Sequence, residues 1–250
     1  MRDESGASWG WGRRGVERGS RGAGRVPGHG DRRRARHVAV HGVLKVAGPT
    51  TAPIFAIRDD VEADLLLQLD NPHYPDYISE DRRDQWRGLG VDPDQALQDD
   101  IAADNASLAG LDRSKITVGM HLCRGNGPMG RWHTAGGYER IAEQVFGGID
   151  VDRFLLEYDS ERAGGFEPLR FMPQGKTVVL GLITTKSGAL ESQDLLLRRI
   201  EEASKYVPME NLALSPQCGF SSTIAGNPLT WDEQRRKLEL VVATARKVWG

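Results

Sequence analysis

Long apolar runs are missing from this sequence. No stretch reaches the roughly 18 apolar residues that a membrane-spanning helix needs, and the amino end shows no apolar leader, so a soluble cytoplasmic protein is expected. An excess of one charge is missing too. The 33 Lys and Arg against 35 Asp and Glu leave a formal net charge of -2, which lends no support to a bulk role on nucleic acid or on a membrane surface. Cysteine is scarce, with two in 250 residues. That excludes a disulfide framework, and in a reducing compartment such cysteines serve as thiols or metal ligands more often than as a bridge. What is there is 27.6 kDa of chain, enough for one substantial core of the size of a single α/β barrel.

Apolar residues are also sparse from Met1 to Pro49, where Gly and Arg dominate and Arg13-Arg14, Arg32-Arg33-Arg34 and Arg36 recur. Such a segment has too little to bury. Residues 1–49 are therefore expected to be disordered or a misassigned start, and 50–250 to hold the folded domain. An RNA-binding arm is the functional alternative, because arginine-rich segments fold on nucleic acid. Against it, only Trp9 and Trp11 offer faces for base stacking.

From Leu65 onward, strand and helix patterns alternate. Leu65-Leu66-Leu67-Gln68-Leu69-Asp70, stopped by Asn71-Pro72, reads as a buried strand, and so do Thr117 to His121, Phe154 to Tyr158, Val178 to Ile183 and Leu212 to Ser215. Helices are expected from Asp94 to about Leu108, near Tyr138 to Phe146, and along the stripe Leu196, Ile200, Ala203 and Val207. A last helix opens at Thr230-x-x-Glu233, a capping-box pattern, with Leu238, Val241, Ala245 and Val248 as its apolar face. Near-continuous apolar strands alternating with helices imply a parallel sheet covered by helices. Five strands are evident where a closed barrel needs eight, and the missing part is expected before Leu65.

Both cysteines fall where such a sheet collects its reactive groups, at the carboxyl ends of strands. His121, Cys123, Glu157 and Cys218 each lie at or just beyond a strand end, and together they offer imidazole, thiolate and carboxylate, the donors that zinc accepts in tetrahedral geometry. Two thiolates, a carboxylate and a neutral imidazole make an electron-rich set, poor for a hard Lewis acid and suited to activating a substrate thiol. Glu157, the hardest donor, is the one expected to loosen when a substrate sulfur arrives. The reaction class implied is alkyl transfer to a thiol. A closed structural zinc is the alternative, and singly each residue has a plain structural use: a buried cysteine, a packed loop, a salt-bridged carboxylate.

At these residues the chain resembles the cobalamin-independent methionine synthase family, specifically its C-terminal catalytic barrel, over about Leu65 to Gly250. His121-Leu122-Cys123, Glu157 and Pro216-Gln217-Cys218-Gly219 are similar to that family's zinc ligands, and Gln68-Leu69-Asp70-Asn71-Pro72 is similar to the segment whose Asp binds the amino group of homocysteine. The resemblance implies a (β/α)8 TIM barrel, here with strands 4–8 recognisable and the amino-terminal part incomplete. It further implies Zn2+ as cofactor, a small-molecule thiol and a methyl donor as partners, and transfer from a methyl-folate to homocysteine.

Within the family the closer likeness is to the single-barrel branch that includes epoxyalkane:coenzyme M transferase. It is carried by His121 to Asn126, Glu157 to Arg162, Thr184-Thr185-Lys186 and Ser215 to Phe220. Where methionine synthase proper carries a catalytic His in an Asp-Ile-His-Ser stretch, this chain has Thr184-Thr185-Lys186. Lys186 is therefore the second catalytic candidate beside Glu157, facing an anionic substrate group or an alkoxide from epoxide opening, with a solvated loop lysine as the plain alternative. Nothing before Leu65 matches the family's early strand loops. The readings left open are methionine-synthase-like methyl transfer, coenzyme-M-type thiol alkylation, and an inactive truncated zinc-binding fragment.

Overall fold

Strand propensity and burial on both faces explain the centre of the molecule. The computed structural model describes residues 44–47, 65–221 and 224–250. Six strands, β1 (Leu44–Ala47), β2 (Leu65–Asp70), β3 (Ile116–Leu122), β4 (Arg153–Glu157), β5 (Thr177–Ile183) and β6 (Leu212–Pro216), pair in sequence order, and every pairing is parallel. Val118, Met120 and Leu122 on one face of β3, Gly119 and His121 on the other, and Val178 to Ile183 of β5 are buried, the double-sided burial that parallel strands require. The five strands expected from Leu65 onward are β2 to β6. The strand β1 falls inside the stretch expected to lack a buried face. The rest of that expectation, including the arginine-rich arm, lies outside the described residues.

Helices cover the sheet as their apolar spacing dictates. Helix α2 (Pro93–Leu108) starts on an Asp92 cap that accepts from Asp94 N at 2.9 Å, and it buries Leu97, Ile101 and Leu108. Helix α3 (Glu139–Gly148) buries Ile141, Ala142, Val145 and Phe146, and the Phe146 ring meets Phe154 of β4 edge-on at 5.2 Å. Each of the larger of these side chains, Ile141, Val145, Phe146 and Phe154, contributes about 1.5–3 kcal/mol on leaving water. Helix α4 (Gln193–Ala203) buries Leu196, Ile200 and Ala203, with Val207 buried just beyond it, as the stripe required.

Helix α5 (Trp231–Trp249) carries the expected capping box, with Thr230 and Glu233 bonded in both directions. Val241 and Val248 of its expected face turn to the core, and Leu238 does not. Lys237, Val241 and Thr244 are buried while Leu238 is 42% exposed. The reason is electrostatic: Lys237 Nζ reaches both oxygens of Glu191 at 2.9 and 3.0 Å and the Ala189 carbonyl at 2.6 Å. A fully paired ammonium can take a core position, and one residue of rotation moves Leu238 outward.

Two elements between β2 and α2 carry no periodic apolar signal: a 3-10 turn at Tyr74–Ile78 and the polar helix α1 (Glu80–Gly88). They are held by tertiary bonds. Tyr74 and Tyr77 are buried and donate their hydroxyls to Asp104 and Asp100 of α2 at 2.6 and 2.8 Å, and Trp86 packs edge-on against Tyr77. Among the described residues no helix is long and apolar enough to cross a membrane.

Candidate metal centre

The parallel register sets the carboxyl ends of β2, β3 and β4 side by side. Asp70 pairs with His121 across β2 and β3, and Glu157 pairs with Gly181 across β4 and β5. Cys123 stands one residue beyond β3, and Cys218 two beyond β6. One ligand atom from each of His121, Cys123, Glu157 and Cys218 lies within 4.8 Å of all the others. Cys218 Sγ is 3.2 Å from Cys123 Sγ, 3.6 Å from His121 Nε2 and 2.6 Å from Glu157 Oε1, to which it donates. His121 Nε2 is 3.5 Å from the same oxygen. Glu157 is wholly buried, His121 and Cys218 nearly so, and Cys123 is partly exposed.

Charges gathered out of water move one another's protonation. Burial pushes the Glu157 carboxyl up, but hydrogen bonding to His121 and the nearby Lys186 ammonium outweigh it and hold the acid at about 2. For His121 burial works against the cation, yet Cys123, Glu157 and Asp70 together raise it to about 9. The two thiols act as a pair. The bond from Cys218 favours an early anion on Cys123, while that neighbour, burial and Glu157 push the Cys218 thiol up. The cluster is thus a dense set of donors biased toward holding positive charge at its centre.

Support comes from residues that a sequence scan passes over. Tyr138, fully buried at the start of α3, accepts from Glu157 N at 3.1 Å and donates to the Glu157 carbonyl. Arg124 donates Nε to the same hydroxyl and stacks over the Tyr138 ring at 4.3 Å. The loops after β3, β5 and β6 are tied by two amides. Asn126 Nδ2 donates to the Gly219 carbonyl at 2.7 Å, and Asn227 Nδ2 donates to Asn126 Oδ1 at 2.9 Å and to the Thr185 carbonyl at 2.7 Å. None of these residue types signals a site by itself. The one usable hint is that Arg124, Asn126 and Gln217 adjoin the ligand motifs.

The remaining candidates fall as follows. Asp70 ends β2 beside His121 and acts on it electrostatically. Lys186 is no solvated loop lysine: its side chain is 9% exposed, with Nζ 2.9 Å from Gln217 Oε1 and 3.7 Å from Glu157 Oε2. Beside the cluster lies a cavity of about 320 Å³, lined by Gln68, Leu155, Gln217 and Phe220 together with His121, Glu157 and Cys218. That is a volume for a small molecule.

Gly181 explains how tightly the floor is built. A Cβ there would meet the Leu156 carbonyl oxygen at 2.9 Å and the Glu157 Cα at 3.5 Å. Gly181→Ala should therefore cost about 1–3 kcal/mol by overpacking and shift Glu157, read as a lower denaturation midpoint and weaker metal retention; an unchanged midpoint would refute the close contact.

Six parallel strands carrying a His, Cys, Glu, Cys cluster at the mouth of a cavity define an α/β-barrel protein with a candidate metal centre. The chain belongs to the cobalamin-independent synthase family, whose catalytic-domain model matches residues 67–247. It is 46% identical over 185 residues to the uncharacterised protein YxjG of Bacillus subtilis, covering 73% of this chain and 48% of that one. The methionine synthase of Pyrococcus abyssi is 28% identical over 122 residues, 48% of this chain and 31% of that one. Among solved structures, the putative vitamin-B12 independent methionine synthase of Listeria monocytogenes aligns with a TM-score of 0.56 and 32% identity over 74% of this chain and 48% of that one. The fold is accordingly a (β/α)8 barrel present in part, and the chain spans about half the length of the curated relatives it matches most fully.

Proposed function

We propose that this chain holds a zinc ion on His121, Cys123, Glu157 and Cys218 and transfers a methyl or alkyl group to a thiol. The observation that carries the reading is the convergence of these four donors at the edge of a small-molecule cavity. Bonds of about 2.0 Å to nitrogen and 2.3 Å to sulfur set the ligand atoms of a tetrahedral zinc roughly 3.3–3.8 Å apart. The S–N and N–O separations of 3.6 and 3.5 Å fall in that range, and the S–S separation of 3.2 Å is shorter than the roughly 3.8 Å two zinc-bound sulfurs would take. The Cys218–Glu157 contact at 2.6 Å is shorter than that range.

Zinc, when bound, would take the place of the proton on a substrate thiol and keep the sulfur nucleophilic at neutral pH. The chain's own part is to supply an electron-rich donor set, a dry wall and fixed charges. Asp70 favours an amino-acid thiol, since its carboxylate pairs with an ammonium. Together with the methionine synthase named among the relatives, that makes methyl transfer from a methyl-folate to homocysteine the leading form of the activity. Lys186 favours a second form, coenzyme-M-type thiol alkylation by an epoxide, because a held ammonium near the cluster suits a developing alkoxide.

Two measurements test the reading. The intact chain should bind one zinc and consume thiol only in the presence of a methyl-folate or an epoxide; zinc without transfer from either donor would leave a metal-binding fragment. Chelation should also turn both cysteines reactive toward a thiol reagent and lower the melting temperature. Unchanged thiol titration and unchanged melting would reject a bound metal.

A further inference from the structure

Glu157 divides its two oxygens between different partners. Oε1 faces the ligand cluster, 2.6 Å from Cys218 Sγ and 3.5 Å from His121 Nε2. Oε2 faces the other way, buried and without a hydrogen bond among the described residues, and Lys186 Nζ stands 3.7 Å from it. That distance is an ion pair but too long for a hydrogen bond, so the contact tightens only if the carboxylate moves toward the lysine. The lysine is held where it is. Its Nζ donates to Gln217 Oε1 at 2.9 Å, its backbone N–H donates to Thr184 Oγ1 at 3.2 Å, and its Cα would be 3.1 Å from a Cβ added at Gly130. Gln217 is the neighbour of Cys218, so the ammonium is tethered to the segment that supplies a ligand.

We propose that Lys186 is a positioning residue that shares the Glu157 carboxylate with the ligand cluster and receives it when a thiol takes its place. Lys186 thereby sets how tightly any thiol is held at this centre. The inference rests on the zinc reading above and deepens it.

Charge accounting is the reason. Two thiolates and a carboxylate around a divalent cation leave one negative charge, and an incoming thiolate makes two. The wholly buried Glu157 would then be a released carboxylate out of water, a state tolerated only beside a fixed positive charge. Lys186 is the ammonium within reach, and pairing the freed carboxylate with it returns that part of the wall to neutrality.

The test uses the intact chain loaded with cobalt(II), whose sulfur-to-metal absorption reports thiol binding without turnover. Two probe thiols are titrated, uncharged 2-mercaptoethanol and anionic 3-mercaptopropionate. Lys186→Met should keep cobalt stoichiometry and lose about tenfold or more in affinity for both thiols alike. Lys186→Gln, which keeps a polar head toward Gln217, should lose as much, and it carries the test if the methionine variant does not fold. Lys186→Arg, which keeps the charge, should recover most of the loss. Unchanged thiol affinity overturns the proposal. A loss confined to the anionic thiol overturns it as well, by showing that Lys186 contacts the substrate's own charge. A wild-type chain that takes up no cobalt refutes the zinc reading itself and this inference with it, an outcome distinct from both.

Discussion

Cys218→Ser is expected to weaken metal binding about a hundredfold and to abolish thiol transfer. Cys218 sits at the middle of the cluster, with its Sγ 3.2 Å from Cys123, 3.6 Å from His121 and 2.6 Å from Glu157. A serine hydroxyl fits the same space but does not ionise at neutral pH and is a poor match for zinc beside a thiolate. Four-ligand zinc sites retain their metal by roughly 10–16 kcal/mol. One ligand is then worth on the order of 3 kcal/mol, about a hundredfold in affinity. The loss is read by competition against a chelator, alongside the thiol-transfer assay. Because Cys218 is small and serine nearly isosteric, the fold should survive, and circular dichroism of the variant checks that. A Cys218→Ser protein whose zinc affinity, measured against a competing chelator, is unchanged would place the metal elsewhere.

The candidate cluster was legible in the sequence because its residue types are rare. Both cysteines of the chain enter the cluster, and a histidine two residues from one of them narrows the choice further. Strands β2 to β6 were legible for a related reason: a parallel strand buried on both faces is an unbroken apolar word such as Val178-Val179-Leu180, bounded by polar turns. Helix α1 was not, because its nine residues hold one large apolar side chain, Trp86, and its place depends on bonds to residues far along the chain, such as Arg83 to Asp94. The same holds for the supports of the site. Tyr138, Asn227 and Glu191 are ordinary residues whose roles exist only once three loops have met. At the start of the α5 face Leu238 was misplaced for a sharper reason, since apolar periodicity assigns lysine to the surface and a buried ion pair at Lys237 reverses that rule, while Val241 and Val248 face the core as expected.

That ion pair should dominate the stability of the carboxyl-terminal helix. Lys237 is wholly buried, and its ammonium bonds Glu191 and the Ala189 carbonyl. Glu191 in turn accepts from Thr184 N at 2.8 Å, and the Thr184 hydroxyl accepts from Lys186 N. A line of bonds therefore runs from α5 to the lysine beside Glu157. Lys237→Ala removes one partner and leaves a poorly solvated carboxylate, a change that costs about 3–5 kcal/mol. At roughly 2–4 °C per kcal/mol for a domain of this size, the melting temperature should fall by about 10 °C. Two further variants separate charge from packing. Lys237→Met keeps most of the volume and should still be strongly destabilised, whereas the double change Lys237→Met with Glu191→Leu should regain most of the loss, because a neutral apolar pair has no charge left unpaired. The double variant should nevertheless bind metal more weakly than wild type, since the Thr184 amide has lost its acceptor and the Lys186 segment its anchor. Recovery of stability together with wild-type metal affinity would show that α5 only covers the sheet. Recovery of stability alone would show that the Glu191 link from α5 to Thr184 also holds the site.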